Sequence, residues 1–377
     1  MARRAAVSAV LLLSAVTATG AHGGADRFDP SRLEGFRASE FPESEVANFH
    51  HAVLADRLVS DLEHFWPETA YMGLAYQAAW IWGAVYDAEG HPFVFTRELP
   101  PFATNGLTLF GKRSDSGLEI SPEAMQTYRG TVVTERAGDA IEWRSADQVF
   151  LGTPSMQITK TRDHFSWKEA GILDLSGATQ TAGYQWYDPP PAPQAYVATY
   201  QKVHGTVLGR PVSGWLGFDV LWLEPGRNYG RSPMARGLVL SWAAFATEYD
   251  NGTIETGAIV KGFENFDFAV IADNRGGKIL GARVRARYEQ FDDGYPKRFD
   301  FRFVDTVSGT PQHWVWKAVP GTALVDIPKF NPAVPRYRGS EGVMTRADEK
   351  RRVVSSVSWP DFYDDGRVQV YESLRSD

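Results

Sequence analysis

At 377 residues with no cysteine, the chain is long enough to bury a large core but cannot use disulfides or thiol chemistry. Lysine and arginine total 39 against 46 aspartates and glutamates, a net charge of −7. This modest acidic balance, with no basic patch, argues against nucleic acid as a partner. The length exceeds the range of about 250–300 residues at which one core stops growing, so two cores are expected.

The chain opens with Met1-Ala2-Arg3-Arg4, an apolar run from Ala5 to Ala18, and the small residues Thr19, Gly20 and Ala21. That order reads as a secretory signal over residues 1–21. The apolar run is too short to span a bilayer comfortably. The expectation is a secreted or periplasmic protein with no stable membrane insertion after cleavage. Residues 22–44 read as a mobile lead-in. From Ser44 the apolar positions Val46, Phe49, Val53, Leu54, Leu58, Val59 and Leu62 fall near helical spacing. Ser44 is a plausible N-cap and Pro67 a stop, so the spacing predicts one amphipathic helix over 45–64. His50, His51 and His64 lie on it, but His50 and His64 are too far apart to share a metal.

From Tyr71 onward strands dominate. Met72–Tyr86 and Pro92–Glu98 flank the turn Asp87-Ala88-Glu89-Gly90, a hairpin signal. Leu107–Phe110, Met125–Glu135, Ala140–Trp143, Val149–Ile158 and Phe165–Leu175 continue the series. The run Asp188-Pro189-Pro190-Pro191-Ala192-Pro193 reads as the best interior boundary, extended and semi-rigid; a loop within one sheet is the alternative. Taken as a boundary, it places an N-terminal helix plus first barrel over 45–188 and a second barrel over 194–377. Strands then recur to Leu374. Tyr86-Asp87, Tyr249-Asp250, Phe291-Asp292 and Tyr363-Asp364 each precede a glycine and read as hairpin turns. The fold class is all-β: two lipocalin-like barrel or sandwich domains and one helix.

The chain is organised around Tyr196–Trp222, two strands joined at Leu208-Gly209-Arg210-Pro211. Gly214 and Gly217 inside the second strand mark close backbone approach or a bend. Asp219, set among Trp215, Phe218 and Trp222, is a carboxylate in apolar surroundings. It reads either as an acid with a raised pKa or as an acceptor for backbone N–H groups or an arginine. Strand alternation puts Asp219 and Leu221 on one face and Phe218, Val220 and Trp222 on the other. A bulge would be needed to bring Asp219 and Trp222 together. His204 is the one histidine in this stretch, a candidate base or a satisfied strand histidine. Asp267, between Phe266 and Phe268, is a second buried-carboxylate candidate. Trp186, Tyr200 and Trp242 join Trp215, Phe218 and Trp222 as aromatics able to line an apolar pocket or simply to fill a β core. No metal-ligand spacing, G-x-S-x-G elbow, P-loop or dinucleotide fingerprint appears, so no metal and no cofactor is expected.

His204-Gly205-Thr206-Val207, Gly209-Arg210, Gly214, Gly217, Asp219 and Trp222 together resemble the middle of the tandem lipocalin-like proteins. That group includes the carotenoid 1,2-hydratases (hydroxyneurosporene synthases), AttH-type proteins and certain natural-product cyclases. Their motif there is Asp-His-x-Trp; this chain has Asp219-Val220-Leu221-Trp222, without the histidine. The resemblance covers residues 196–262. It implies cofactor-free acid catalysis on an isolated C=C bond, with Asp219 as acid and Trp222 facing the carbocation. Three functions stand as expectations: an enzyme of hydratase, isomerase or cyclase type acting on a terpenoid, fatty or polyketide-like molecule; a carrier of such a molecule; or a glycan-binding or glycan-cleaving β-sandwich. The oligomeric state is left open.

Overall fold

The computed structural model describes residues 52–68, 70–146, 155–188, 193–227, 239–262, 266–291, 293–327 and 337–362. The expected signal segment, the lead-in, His50 and His51 lie outside these residues. So do Asp292, the Tyr363-Asp364 turn, the last expected strand and the first part of the strand expected over Val149–Ile158. In chain order the first strands are β1 (Ala52–Asp56), β2 (Ala75–Asp87), β3 (Pro92–Leu99), β4 (Ala103–Thr104), β5 (Thr108–Ser114), β6 (Gly117–Ile120), β7 (Gly130–Ala137) and β8 (Ala140–Ser145). They continue with β9 (Met156–Lys160), β10 (His164–Glu169), β11 (Leu173–Thr179), β12 (Gly183–Asp188), β13 (Gln194–Val207) and β14 (Arg210–Leu223). The remainder are β15 (Val239–Tyr249), β16 (Ile254–Gly262), β17 (Phe268–Asp273), β18 (Lys278–Gln290), β19 (Pro296–Asp305), β20 (Pro311–Ala323), β21 (Ser340–Arg346) and β22 (Val353–Phe362).

The protein is almost all β. Strands β1–β14 form one 14-stranded sheet curved into a half-barrel, and β15–β22 form an eight-stranded sheet closed nearly into a barrel. In the first sheet the order β4-β7-β8-β9-β10-β11-β13-β14-β2-β3-β5-β6 places the β13–β14 hairpin at the centre, with β12 and β1 branching from β13. The hairpin turn is Leu208-Gly209, with φ of 49° and 75°. Two successive positive φ values give the turn whose twist matches its flanking strands, and glycine makes the second one cheap. The second sheet runs β21-β20-β19-β18-β17-β16-β15-β22.

Two expectations are corrected. Residues 45–64 were expected to form a helix, yet among the described residues of that span Ala52–Asp56 is a strand paired with β12. It is followed by two 3-10 turns, Arg57–Ser60 and Leu62–Phe65. Asp56 accepts from the Leu58 N–H at 3.0 Å, the local side-chain bonding that competes with helix propagation. Leu54 and Leu58, assigned to the apolar face of the helix, are exposed. The second correction concerns the hairpin. Placed at the head of the second barrel by the proline run, it belongs instead to the first sheet, because Asp188 and Gln194 are partners in an antiparallel β12–β13 ladder. The ladder resumes across the proline run, and the eight-stranded sheet opens only at Val239.

Alternation along β14 divides the core. Leu216, Phe218, Val220 and Trp222 point into a core enclosed by the first sheet. Trp215, Leu221 and Leu223 point the other way, into a core shared with Trp242, Phe266, Phe268 and the interior of the second sheet. Polar contacts tie the two sheets together: the Tyr200 hydroxyl donates to the Gly257 carbonyl at 2.6 Å, and Trp215 Nε1 donates to Ser355 Oγ at 2.9 Å.

Candidate functional site

Asp219 lies on the shared face of β14, opposite Ala198 of β13 and Trp80 of β2. It is 2% exposed. Its Oδ2 accepts from Trp82 Nε1 at 3.0 Å and from the Tyr196 hydroxyl in a very short contact. Its Oδ1 has no hydrogen-bond partner among the described residues. Burial pushes the Asp219 carboxyl up to about 7, against the downward pull of the Tyr196 and Trp82 donors and a weaker one from the Trp80 N–H. The three tyrosines around it, Tyr184, Tyr196 and Tyr200, are all driven upward, first by burial, and stay protonated. The arrangement is a carboxyl that gains or loses a proton near neutrality, inside an aromatic layer with phenol donors.

One glycine makes this possible. A Cβ at Gly217 would lie 2.3 Å from the Trp82 ring, so only glycine leaves the space in which that indole turns its N–H to Asp219. The glycine spacing seen in the sequence is thus the seat of a tryptophan from the neighbouring strand.

Around the carboxyl, Trp186 stacks on Tyr196 with ring centroids 5.8 Å apart at 14°. Trp242 meets Tyr196 edge-on at 5.1 Å and Phe268 at 5.6 Å. Tyr200 meets Trp82 edge-on at 6.0 Å. Of the residues singled out in the sequence, Asp219, Trp186, Tyr200, Trp215 and Trp242 therefore share one aromatic layer. The rest are placed elsewhere. Phe218 and Trp222 lie on the opposite face of β14. A register shift does fall between Leu221 and Trp222, but it leaves Trp222 in the first-sheet core against Tyr71 and Tyr76. Trp222 therefore cannot face a cation formed at Asp219. His204 is exposed, six residues along β13 from the partner of Asp219, and makes no pair with it. Asp267 is held by Lys261 Nζ at 2.6 Å and by the Val284 N–H at 3.0 Å, a structural acceptor in the second sheet.

Sequence reasoning missed three ionisable groups. Asp361 of β22 stands opposite Trp242 in the ladder and accepts from the Tyr337 hydroxyl at 2.8 Å. The residue keeps some exposure, yet burial of its carboxyl lifts it to about 7, and its charge in turn raises Asp219. The charge of Asp361, from the second sheet, thus reaches Asp219 of the first across the layer. Glu341 of β21 is fully buried and accepts from the Ser358 N–H at 3.0 Å; burial lifts it to about 8. Lys160 of β9 is fully buried in the first-sheet core. Asp361 and Glu341 sit in plain strand contexts, and only the packing of β21 and β22 buries them. The pair of flanking phenylalanines that drew attention to Asp267 has no counterpart at Asp361, which stands between Pro360 and Phe362.

No family model matches the chain, and no curated protein matches it by sequence. Among solved structures it is similar to one from Nitrosomonas europaea provisionally described as AttH, with 13% identity, a TM-score of 0.38, and coverage of 78% of this chain and 94% of that one. That is a distant structural relation only.

Proposed function

We propose that the protein binds an apolar small molecule, of terpenoid, fatty or polyketide type, in the aromatic layer between the two sheets, and that Asp219 acts on it as a general acid. The observation that carries this reading is the Asp219 carboxyl itself: buried, held by two donors on one oxygen, and without a hydrogen-bond partner among the described residues on the other. A proton on Oδ1 would be transferred to a C=C carbon of the ligand, leaving a carbocation at the neighbouring carbon and a carboxylate stabilised by Trp82 and Tyr196. Trp186, Trp242 and Tyr196, on the same face, take the cation-facing role that the family resemblance gave to Trp222. Water addition with return of a proton to Asp219 gives hydration; loss of a proton from an adjacent carbon gives isomerisation; attack by a second C=C gives cyclisation. No cofactor is required for any of these.

A carrier without chemistry is the second reading, favoured by the exposure of His204, which leaves the carboxyl without the expected base beside it. The aromatics around Asp219 are buried rather than set along an open groove, so the glycan reading has least support.

Native mass spectrometry after exposure to an isoprenoid and lipid extract separates the readings. An apolar mass that the wild type alters and Asp219→Asn retains unchanged supports acid catalysis. The same mass retained by both proteins identifies a carrier. Absence of any apolar adduct would sink both.

A further inference from the structure

We propose that Lys160 is the reactive amine of a second ligand site, inside the core of the first sheet, that takes an apolar aldehyde or ketone as an imine. This site is separate from the aromatic layer around Asp219 and does not rest on the function assigned there.

The geometry is that of a caged amine. Lys160 is 0% exposed, and its Nζ has no hydrogen-bond partner among the described residues. Nζ lies 4.6 Å from the centroid of Phe65 and 5.6 Å from that of Phe218. Phe218 in turn touches Phe65, Trp143 and Phe165. Across the ladders Lys160 is flanked by Ile141 and Phe165. An ammonium ion here loses its water and gains only two ring faces, which offset part of the desolvation cost. The free base wins. Consistently, burial lowers the amine from 10.5 to about 7, opposed only by the charge of Asp163. A desolvated lysine of this kind is a standard nucleophile toward carbonyl carbon.

Its lid is the segment that carries Phe65. Phe65 ends the second of two successive 3-10 turns, Arg57–Ser60 and Leu62–Phe65, a short strap whose buried side chains are Val59, Ser60 and Phe65. The strap is pinned by ion pairs at its outer side, Asp61 with Arg162 and Glu63 with Arg136, all with partly exposed side chains. Exposed pairs of this kind contribute little. Withdrawal of Phe65 on this strap would open the cage to a ligand while leaving the strand ladders intact.

The chemistry balances without a cofactor. The Nζ lone pair forms the C–N bond as the carbonyl π electrons move to oxygen. Loss of that oxygen as water, with the two protons of the amine, leaves the C=N bond. No group is oxidised or reduced.

The test uses the full chain at about pH 7 with decanal as probe and sodium cyanoborohydride to trap the imine, followed by peptide mapping. At this pH Lys160 is about a thousand-fold richer in free base than an ordinary lysine. The expected result is a single early alkyl adduct on Lys160, absent in Lys160→Met, and formed several-fold faster in Phe65→Ala. Early adducts on exposed lysines such as Lys112 and Lys168, at equal rates in wild type and Lys160→Met, would overturn the proposal. So would an unmodified Lys160 in both wild type and Phe65→Ala. Mapping in the wild type decides the matter even if a variant fails to fold.

Discussion

Asp219 has two donors on Oδ2, and those donors decide how its proton behaves. Both stabilise the carboxylate, so removing either should raise the carboxyl further above its present value near 7. Tyr196→Phe is therefore expected to move the pH dependence of any turnover upward without abolishing it. Asp219→Asn should lower turnover by about 10²–10⁴ while keeping ligand binding. A pH–rate profile of Tyr196→Phe identical to wild type would show that Asp219 is not the titrating acid. Little of this was legible in the residue order. Asp219 stood out as the one charge in the apolar run Trp215–Trp222, but its partners Trp82 and Tyr196 stand 137 and 23 residues away. Trp222 took its cation-facing role from the family resemblance; strand alternation already put it on the other face, and the register shift between Leu221 and Trp222 does not bring it round to Asp219.

At the scale of elements, the hairpin β13–β14 is joined to β2 by a long ladder, and Gly217 leaves room for the Trp82 ring of β2 beside it. Gly217→Ala would place a methyl group against that ring, and overpacking of this kind typically costs about 1–3 kcal/mol. The expected outcome is a lower melting temperature together with loss of the Trp82–Asp219 bond, read as a change in tryptophan fluorescence; unchanged stability and fluorescence would contradict it. The same device recurs in the second sheet, where a Cβ at Gly342 would meet the Trp316 ring at 2.2 Å. There the gap between the end strands β21 and β22 is bridged by side chains. Glu341 accepts the Ser358 N–H, and Trp316 Nε1 donates to the Ser358 carbonyl at 3.0 Å. Glu341→Gln keeps an acceptor and should be tolerated. Glu341→Leu strands the Ser358 N–H and should cost about 1–3 kcal/mol in denaturant unfolding.

For the whole molecule, the buried ionisable groups set opposing pH limbs. Asp219 and Asp361 titrate near 7 rather than 3.8, and Glu341 near 8 rather than 4.5. In each case the folded chain keeps a proton that the unfolded chain has released, so stability falls as the pH rises from about 4 toward 7–8 and then levels. Lys160, lowered from 10.5 to about 7, acts in a different window: the unfolded chain binds that proton more tightly, so stability rises between about pH 7 and 10.5. Thermal melts should show a minimum near pH 8. Asp219→Asn should flatten the descending limb and Lys160→Met the ascending one. A melting temperature that climbs steadily from pH 5 to 8 would contradict this assignment.

By itself the sequence determined the features that rest on local chemistry. Alternating β-branched and aromatic residues broken by Asp–Gly turns make strands, because the pleat and the positive φ of those turns are properties of short stretches. Tyr86-Asp87 and Tyr249-Asp250 are turns for that reason, and the all-β fold with two barrels rests on the same signals. Only the tertiary structure decided the features that depend on which strands meet. Residues 52–64 carry helical spacing, but the backbone groups of Ala52–Asp56 find partners on β12, and a ladder bond outweighs a weak helical preference. The proline run looks like a linker, but the strands on either side pair with each other. Burial itself belongs to this second class. Asp219, Asp361, Glu341 and Lys160 are ordinary charged residues in the unfolded chain, and become groups of altered proton affinity only when packing removes their water.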